Sequence, residues 1–164
     1  MRNNHVTYCD AQLMRIALLL AEKDVARKIA CEAGKKRFAA EIAADGGQPL
    51  ELQRTIYLSY SRFNLVALFD LATLAEHIGL DLWHCQQPGS GGIQKAVDYP
   101  LPFIDDPGKP WPFKKIKAVE PQEFAGLLLQ ASLVYKALDY PRVLSCIDKT
   151  DGKRIWMLHP AMRP

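Results

Sequence analysis

Between Leu52 and Ile78 apolar residues recur so densely that the segment reads as a buried helix. Ile56, Phe63, Ala67, Leu71, Leu74 and Ile78 fall on one helical stripe. Leu58, Leu65, Leu68 and Ala72 widen that stripe almost all round. A helix apolar on every side needs neighbours on every side, so the rest of the chain must pack around this one, which ends at Gly79. The polar residues in and beside it, Arg54, Tyr57, Tyr60, Ser61 and Asn64, then need partners, because an unpaired polar group in a core costs free energy.

The neighbours come from both sides. Val6 to Ala21 carries Leu13, Ile16, Ala17 and Leu20 at helical spacing and reads as a first helix with that stripe buried. Lys23-Asp24 reads as a short turn, with Asp24 capping a second helix from Val25 to about Ala44. Ile29, Ala33, Phe38 and Ile42 point that helix at the core, while Glu32 and the triplet Lys35-Lys36-Arg37 face water. Asp45-Gly46-Gly47 stops it, glycine supplying the left-handed cap. Beyond the long helix, Gln86 to Gly92 is a loop, and a short helix from Ile93 to Asp98 ends ahead of Pro100. Asp105 to Pro112 reads as a rigid irregular excursion. A further helix starts at Pro121 and runs through Leu127, Leu128, Ala131, Val134 and Leu138. A short helix after Tyr140-Pro141 and a strand over Arg154 to Leu158 finish the chain. No internal repeat is found. The expected fold is all-α, one domain over residues 1–164 built from antiparallel helices with irregular loops.

Composition narrows the partners. The 164 residues carry a formal net charge of +3, which permits a polyanionic partner without demanding one. No run of eighteen apolar residues spans a membrane, and Leu18-Leu19-Leu20 is short and flanked by Arg15, Glu22 and Lys23. Arg2 is followed by polar residues, so no secretory signal is read at the start. Cys9, Cys31, Cys85 and Cys146 form no CxxC pair, which argues against a zinc framework; no metal or other cofactor is expected, nor a nucleic-acid or membrane partner.

Two polar clusters remain. Asn3-Asn4-His5 runs straight into the first apolar-periodic segment. One asparagine serves as a helix cap; two followed by an imidazole exceed what a cap requires. The second cluster is Gln48-Pro49-Leu50-Glu51-Leu52-Gln53-Arg54-Thr55, followed by Ser59-Tyr60-Ser61-Arg62-Phe63-Asn64-Leu65. If the first three helices alternate in direction, the starts of the first and third lie at one rim, where Asn4, His5, Arg54 and Tyr57 or Tyr60 converge. An amide, an imidazole, a guanidinium and a phenol without a carboxylate pair do not suit glycoside hydrolysis. They suit proton removal alpha to a carboxylate, in which Arg and Asn neutralise the enolate-like charge and His or Tyr moves the proton. That chemistry is β-elimination on a uronic acid.

These same residues, with Tyr8 and Gln12, and with Leu74-Ala75-Glu76-His77-Ile78-Gly79-Leu80-Asp81-Leu82-Trp83 and, more weakly, Ala96-Val97-Asp98-Tyr99 and Trp111-Pro112, resemble the alginate lyase superfamily. The resemblance implies an (α/α) toroid of antiparallel helical hairpins with a cleft for an acidic polysaccharide such as alginate, and a periplasmic or secreted enzyme. It also implies that Asn4 and Arg54 neutralise the uronate carboxylate and that His5 assists as base or stabiliser. Tyr60 would transfer protons at C5 and at the leaving C4 oxygen; whether His5 or Tyr60 takes the C5 proton depends on the uronate. Tyr8, Gln12, Gln48 and Tyr57 would contact substrate. The family usually has Gly and Trp around the first motif, where this chain has Val6 and Tyr8. On one continuous helix Arg54 and Tyr60 would stand about 120° apart, so either the helix begins after Arg54 or Tyr57 takes the place of Tyr60. Family domains are considerably longer, with the Asn-Asn-His motif mid-domain, so the chain reads as the C-terminal part of a lyase, an incomplete toroid truncated on its N-terminal side. The alternative is an inactive, degenerate module that binds an acidic glycan or a protein through Lys35-Lys36-Arg37 and Lys114-Lys115-Lys117. In a third reading Asn4, His5 and Arg54 only cap and pin helices.

Overall fold

The computed structural model describes residues 3–55, 57–106, 109–110, 120–136, 140 and 142–144. The chain divides into two compact units, Met1–Tyr99 and Pro100–Pro164. The described residues are helical and form no strand; one isolated bridge joins Ala43 to Ser90. None of these helices is long and apolar enough to cross a membrane.

In the first unit, α1 (Asn4–Leu19) and α2 (Lys23–Ala33) form a tight hairpin. α2 widens into a π-helical turn, Gly34–Phe38, and closes with α3 (Ala39–Glu41). A short α4 (Pro49–Leu52) precedes the long α5 (Tyr57–Glu76), and α6 (Gly92–Asp98) packs on α5. Cross-contacts set the directions. Asn4 meets Arg54, Tyr8 meets Phe63 and Arg15 meets Asp70, so α1 and α5 run parallel. Asp10 meets Arg37 and Thr7 meets Glu41, so α2 and α3 run against α1. The starts of α1 and α5 therefore share one rim, as the alternation of helices predicts.

α5 is the core element. Leu58, Leu65, Ala67, Leu68, Phe69, Leu71, Ala72 and Ala75 are all buried on it. Trp83 closes its far end, edge-on to Phe69 at 4.9 Å and donating its indole N–H to Glu76 at 2.8 Å. The segment is nevertheless not one helix from Leu52. α4 winds down through an Arg54 N–H to Glu51 carbonyl bond three residues back, and α5 starts afresh at Tyr57. Phe63, expected in the core, is 42% exposed.

α1 departs further from the sequence pattern. Its buried face is Asn4, Thr7, Ala11, Met14 and Ala17, whereas Leu13 and Ile16 are 49% and 53% exposed and Leu20 also faces out. Small residues let α1 approach α5 and α2 closely, and Thr7 spends its hydroxyl on buried Glu41; a stripe chosen by side-chain size misses this face. The turn after α1 also shifts, to Leu20–Glu22, with Asp24 inside the first turn of α2 rather than capping it.

That turn and the end of α5 use one device. Glu22 N–H bonds the Ala17 carbonyl and Ala21 N–H the Leu18 carbonyl; Leu80 N–H bonds Ala75 and Gly79 N–H bonds Glu76. Both are Schellman caps, which need a left-handed residue. α5 uses Gly79 (φ +69°), whereas α1 uses Ala21 (φ +59°), where a Cβ is penalised. Ala21→Gly should raise stability by about 1 kcal/mol, read as a higher midpoint in chemical unfolding.

The second helix ends at Glu41, short of Ala44, with Ile42 extended. The following turn needs Gly46 (φ +92°): a Cβ there would lie 2.1 Å from the Lys95 carbonyl oxygen of α6. Ser90 donates its hydroxyl to the Phe38 carbonyl at 2.7 Å, tying the Gln86–Gly92 loop to the end of the π-helical turn.

In the second unit, α7 (Leu101–Asp105) lies just ahead of the stretch expected to be irregular and overlaps it only at Asp105. A 3₁₀ turn, Pro121–Phe124, leads into α8 (Ala125–Tyr135), with Leu127, Leu128, Leu129 and Ala131 buried. Arg142 pairs with Asp105 at 2.9 Å. Trp111-Pro112, Lys114-Lys115-Lys117, Leu138, Cys146 and the strand expected over Arg154 to Leu158 lie outside the described residues.

Candidate active site

The site grows from the break between α4 and α5. Because the helix stops at Leu52 and restarts at Tyr57, Arg54 sits on a loop and its side chain is free of the helical phase that would have separated it from Tyr60. Its guanidinium carbon lies 3.5 Å from the centre of the Tyr60 ring, a close cation–π stack. The same guanidinium donates to the Asn4 side-chain oxygen at 3.3 Å and to Glu51 at 3.5 Å. Arg54 is thus the hub that joins the first polar cluster to the second.

Glu51 explains why Asn4 is placed so firmly. Asn3 occupies the cap position of α1 with extended backbone, yet its side chain makes no capping bond. The first-turn amide of Asn4 is taken instead by the Glu51 carboxylate at 2.8 Å, from forty-seven residues away in sequence. A carboxylate at a helix N-terminus satisfies an orphan N–H and complements the helix dipole. The cap is therefore supplied by tertiary structure. Asn4 is 1% exposed and presents its amide to Arg54.

A second buried layer holds the start of α5. Gln48 donates to the Ser61 carbonyl at 3.1 Å and accepts from the Asn64 amide at 2.8 Å, both inside the core. Behind it Arg37 bonds Asp10 at 2.8 Å and Glu41 at 3.3 Å, and Thr7 donates to Glu41 at 3.2 Å. Burial pushes the Glu41 carboxyl above its ordinary range, against the opposing pull of Arg37. Arg37 was expected to face water with Lys35 and Lys36; the wider π turn ends in this inward pairing, and Lys36 pairs with Glu32.

On the open side, Ser59, Tyr60, Arg62 and Phe63 line a depression of about 260 Å³. Tyr8 stacks on Phe63 with ring centres 4.4 Å apart. Burial, then the Asp70 carboxylate, raises the Tyr8 phenol above its ordinary range, so it remains protonated at neutral pH.

The expected site residues therefore divide. Asn4, Arg54 and Tyr60 come together in one contact chain. His5 follows Asn4 on α1 with its imidazole exposed at the same rim. Tyr8 reaches the depression through Phe63. Gln12 is exposed farther along α1. Gln48 is buried with its amide turned inward, so it braces α5 rather than reaching a ligand. Tyr57 opens α5, and its side chain lies outside the described part. Sequence reasoning gave no role to Glu51, whose signal was its place three residues before Arg54, or to Phe63 and Arg62 as lining residues.

The sequence profile of the alginate lyase family matches residues 1–111. The fold is similar to the crystal structure of an alginate lyase from Bacteroides ovatus, with a TM-score of 0.83 and 32% identity over 90% of this chain. The chain spans 39% of that enzyme's length. No curated protein matches. The profile match covers the whole contact chain from Asn4 to Tyr60 and most of the protein; this chain belongs to the alginate lyase family.

Proposed function

We propose that the rim formed by Asn4, His5, Arg54 and Tyr60 is the β-elimination centre of a polysaccharide lyase acting on an alginate-like polyuronate. The observation that carries this is the single guanidinium of Arg54, bonded to Asn4 on one side and stacked on Tyr60 on the other, beside an open depression. A uronate has a carboxylate at the carbon next to C5. Arg54 and Asn4 neutralise that carboxylate, so negative charge can build up as the C5 proton leaves. To accept the proton, His5 must offer an unprotonated ring nitrogen or Tyr60 a phenolate oxygen. The C4–O bond then breaks, a C4=C5 double bond forms, and the Tyr60 hydroxyl supplies a proton to the departing oxygen. Tyr8 stays protonated and serves as a surface and hydrogen-bond donor against the sugar.

The toroid is part of the same proposal: α1 and α5 pack side by side in parallel with α2 opposed to both, an arrangement that successive helical hairpins would repeat. So is a periplasmic or secreted setting, where such polymers occur. The alternative of a non-catalytic module has less support, since Arg37 of its first basic patch is buried in ion pairs and Lys36 is paired. The test is ultraviolet absorbance during incubation of the chain with polymannuronate and with polyguluronate. Conjugated unsaturated uronate should accumulate on at least one polymer. A folded chain that produces none on either polymer overturns the proposal.

A further inference from the structure

Among the described residues, Glu51 is the one buried carboxylate bonded to both Asn4 and Arg54, and nothing in the β-elimination chemistry uses it directly. It is 1% exposed, so no polymer reaches it. One oxygen accepts the Asn4 backbone N–H at 2.8 Å and the other faces the Arg54 guanidinium at 3.5 Å. Asn4 opens α1, Arg54 lies on the α4–α5 loop fifty residues later, and the two also bond each other at 3.3 Å. Three groups thus close a triangle with Glu51 at its buried corner. Loops such as the one that carries Arg54 are ordinarily mobile, and a long side chain on one loses rotamer freedom only when something holds it. The contacts that hold Arg54 are Asn4, the Tyr60 ring and Glu51. Of these, only Glu51 carries opposite charge.

We infer that Glu51 is a positioning residue that locks Arg54 and Asn4 in the geometry needed to neutralise the uronate carboxylate. The inference rests on the lyase reading of the site. Glu51 also keeps the guanidinium from swinging away from Tyr60 when no substrate is bound. The uronate carboxylate then meets a cation and an amide already aimed at it, so the energy of substrate binding is not spent ordering them.

Glu51→Gln separates positioning from folding, because the amide oxygen still accepts the Asn4 N–H while the charge facing Arg54 is gone. The variant should lower kcat about 100-fold, the size expected when a catalytic group is slightly misplaced, with KM changed much less. Glu51→Asp, which keeps the charge on a shorter stem, should recover part of that loss. In an Arg54→Ala background the same Glu51→Gln change should cost nothing further, because the group it positions is absent. A cost that simply adds to that of Arg54→Ala would mark a merely structural residue and overturn the inference.

Nitrogen-detected NMR of the Arg54 side chain reads the same point without turnover. Guanidinium signals of a held, slowly rotating group should average to those of free arginine in Glu51→Gln, and unchanged signals would overturn the inference. A wild-type chain that yields no unsaturated product defeats the lyase reading instead. The guanidinium spectra then decide whether Glu51 holds Arg54.

Discussion

Tyr60→Phe should reduce formation of unsaturated uronate by about 10³- to 10⁴-fold, the upper part of the range for general acid–base groups, while the protein unfolds at the same midpoint as the wild type. Phenylalanine keeps the aromatic face on which Arg54 stacks at 3.5 Å, so the guanidinium retains its support and its bond to Asn4. Only the hydroxyl is removed. If the cluster merely pinned helices, removing one partly exposed hydroxyl would leave any activity intact. Loss of activity with fold and Arg54 geometry preserved assigns proton transfer to that hydroxyl. Activity that persists in Tyr60→Phe and vanishes in Tyr57→Phe would move the proton-transfer role one turn towards the start of α5. Progress curves at fixed enzyme, checked against unfolding midpoints, decide between these outcomes.

Arg37→Met should destabilise the first unit by about 3–5 kcal/mol, the cost of stranding the buried Glu41 carboxylate after its partner is removed. Arg37 is buried between Asp10 and Glu41, and Glu41 is almost wholly enclosed. Replacing Glu41 by Gln in the same chain should recover much of the loss, because the amide carries no charge and can still accept from Thr7. The pH dependence carries a definite sign. Burial raises the Glu41 carboxyl above its ordinary value in the folded state, so the folded chain holds this proton more tightly than the unfolded chain. The stability contributed by Glu41 is then greatest below its unfolded pKa and falls as pH rises through the folded pKa. Glu41→Gln removes that slope. Urea titrations of wild type and Glu41→Gln across the acid range measure it.

Much of this site was legible in the sequence because it is written in local chemistry. An Asn-Asn-His triplet, an Arg after a Pro-initiated turn and a Tyr six residues on are residue choices that no helix propensity requires. The parity of three helices was enough to bring them to one rim, and it survived a turn displaced from Lys23-Asp24 to Leu20–Glu22. The centrality of α5 followed from its all-round apolar pattern, and its end at Gly79 from the left-handed conformation that glycine accepts without strain.

Other features were decided only by tertiary packing. Size-weighted periodicity pointed α1 the wrong way, because its buried face consists of Ala11, Ala17, Thr7 and Asn4, small or polar residues whose value lies in close approach and in partners elsewhere. Arg37 reads as one of three surface cations until Asp10 and Glu41 are brought to it. Whether Arg54 and Tyr60 diverge by a third of a turn or touch depended on a helix break whose bonds close in three dimensions, with Gln48 braced on Ser61 and Asn64. Glu51 caps a helix that begins forty-seven residues earlier. The sequence by itself determined which chemical groups are present, the helical class and the order of the helices, since these rest on composition and local periodicity. The tertiary structure alone decided which buried charges find partners, because a charge is tolerated in a core only where distant segments deliver its counter-group.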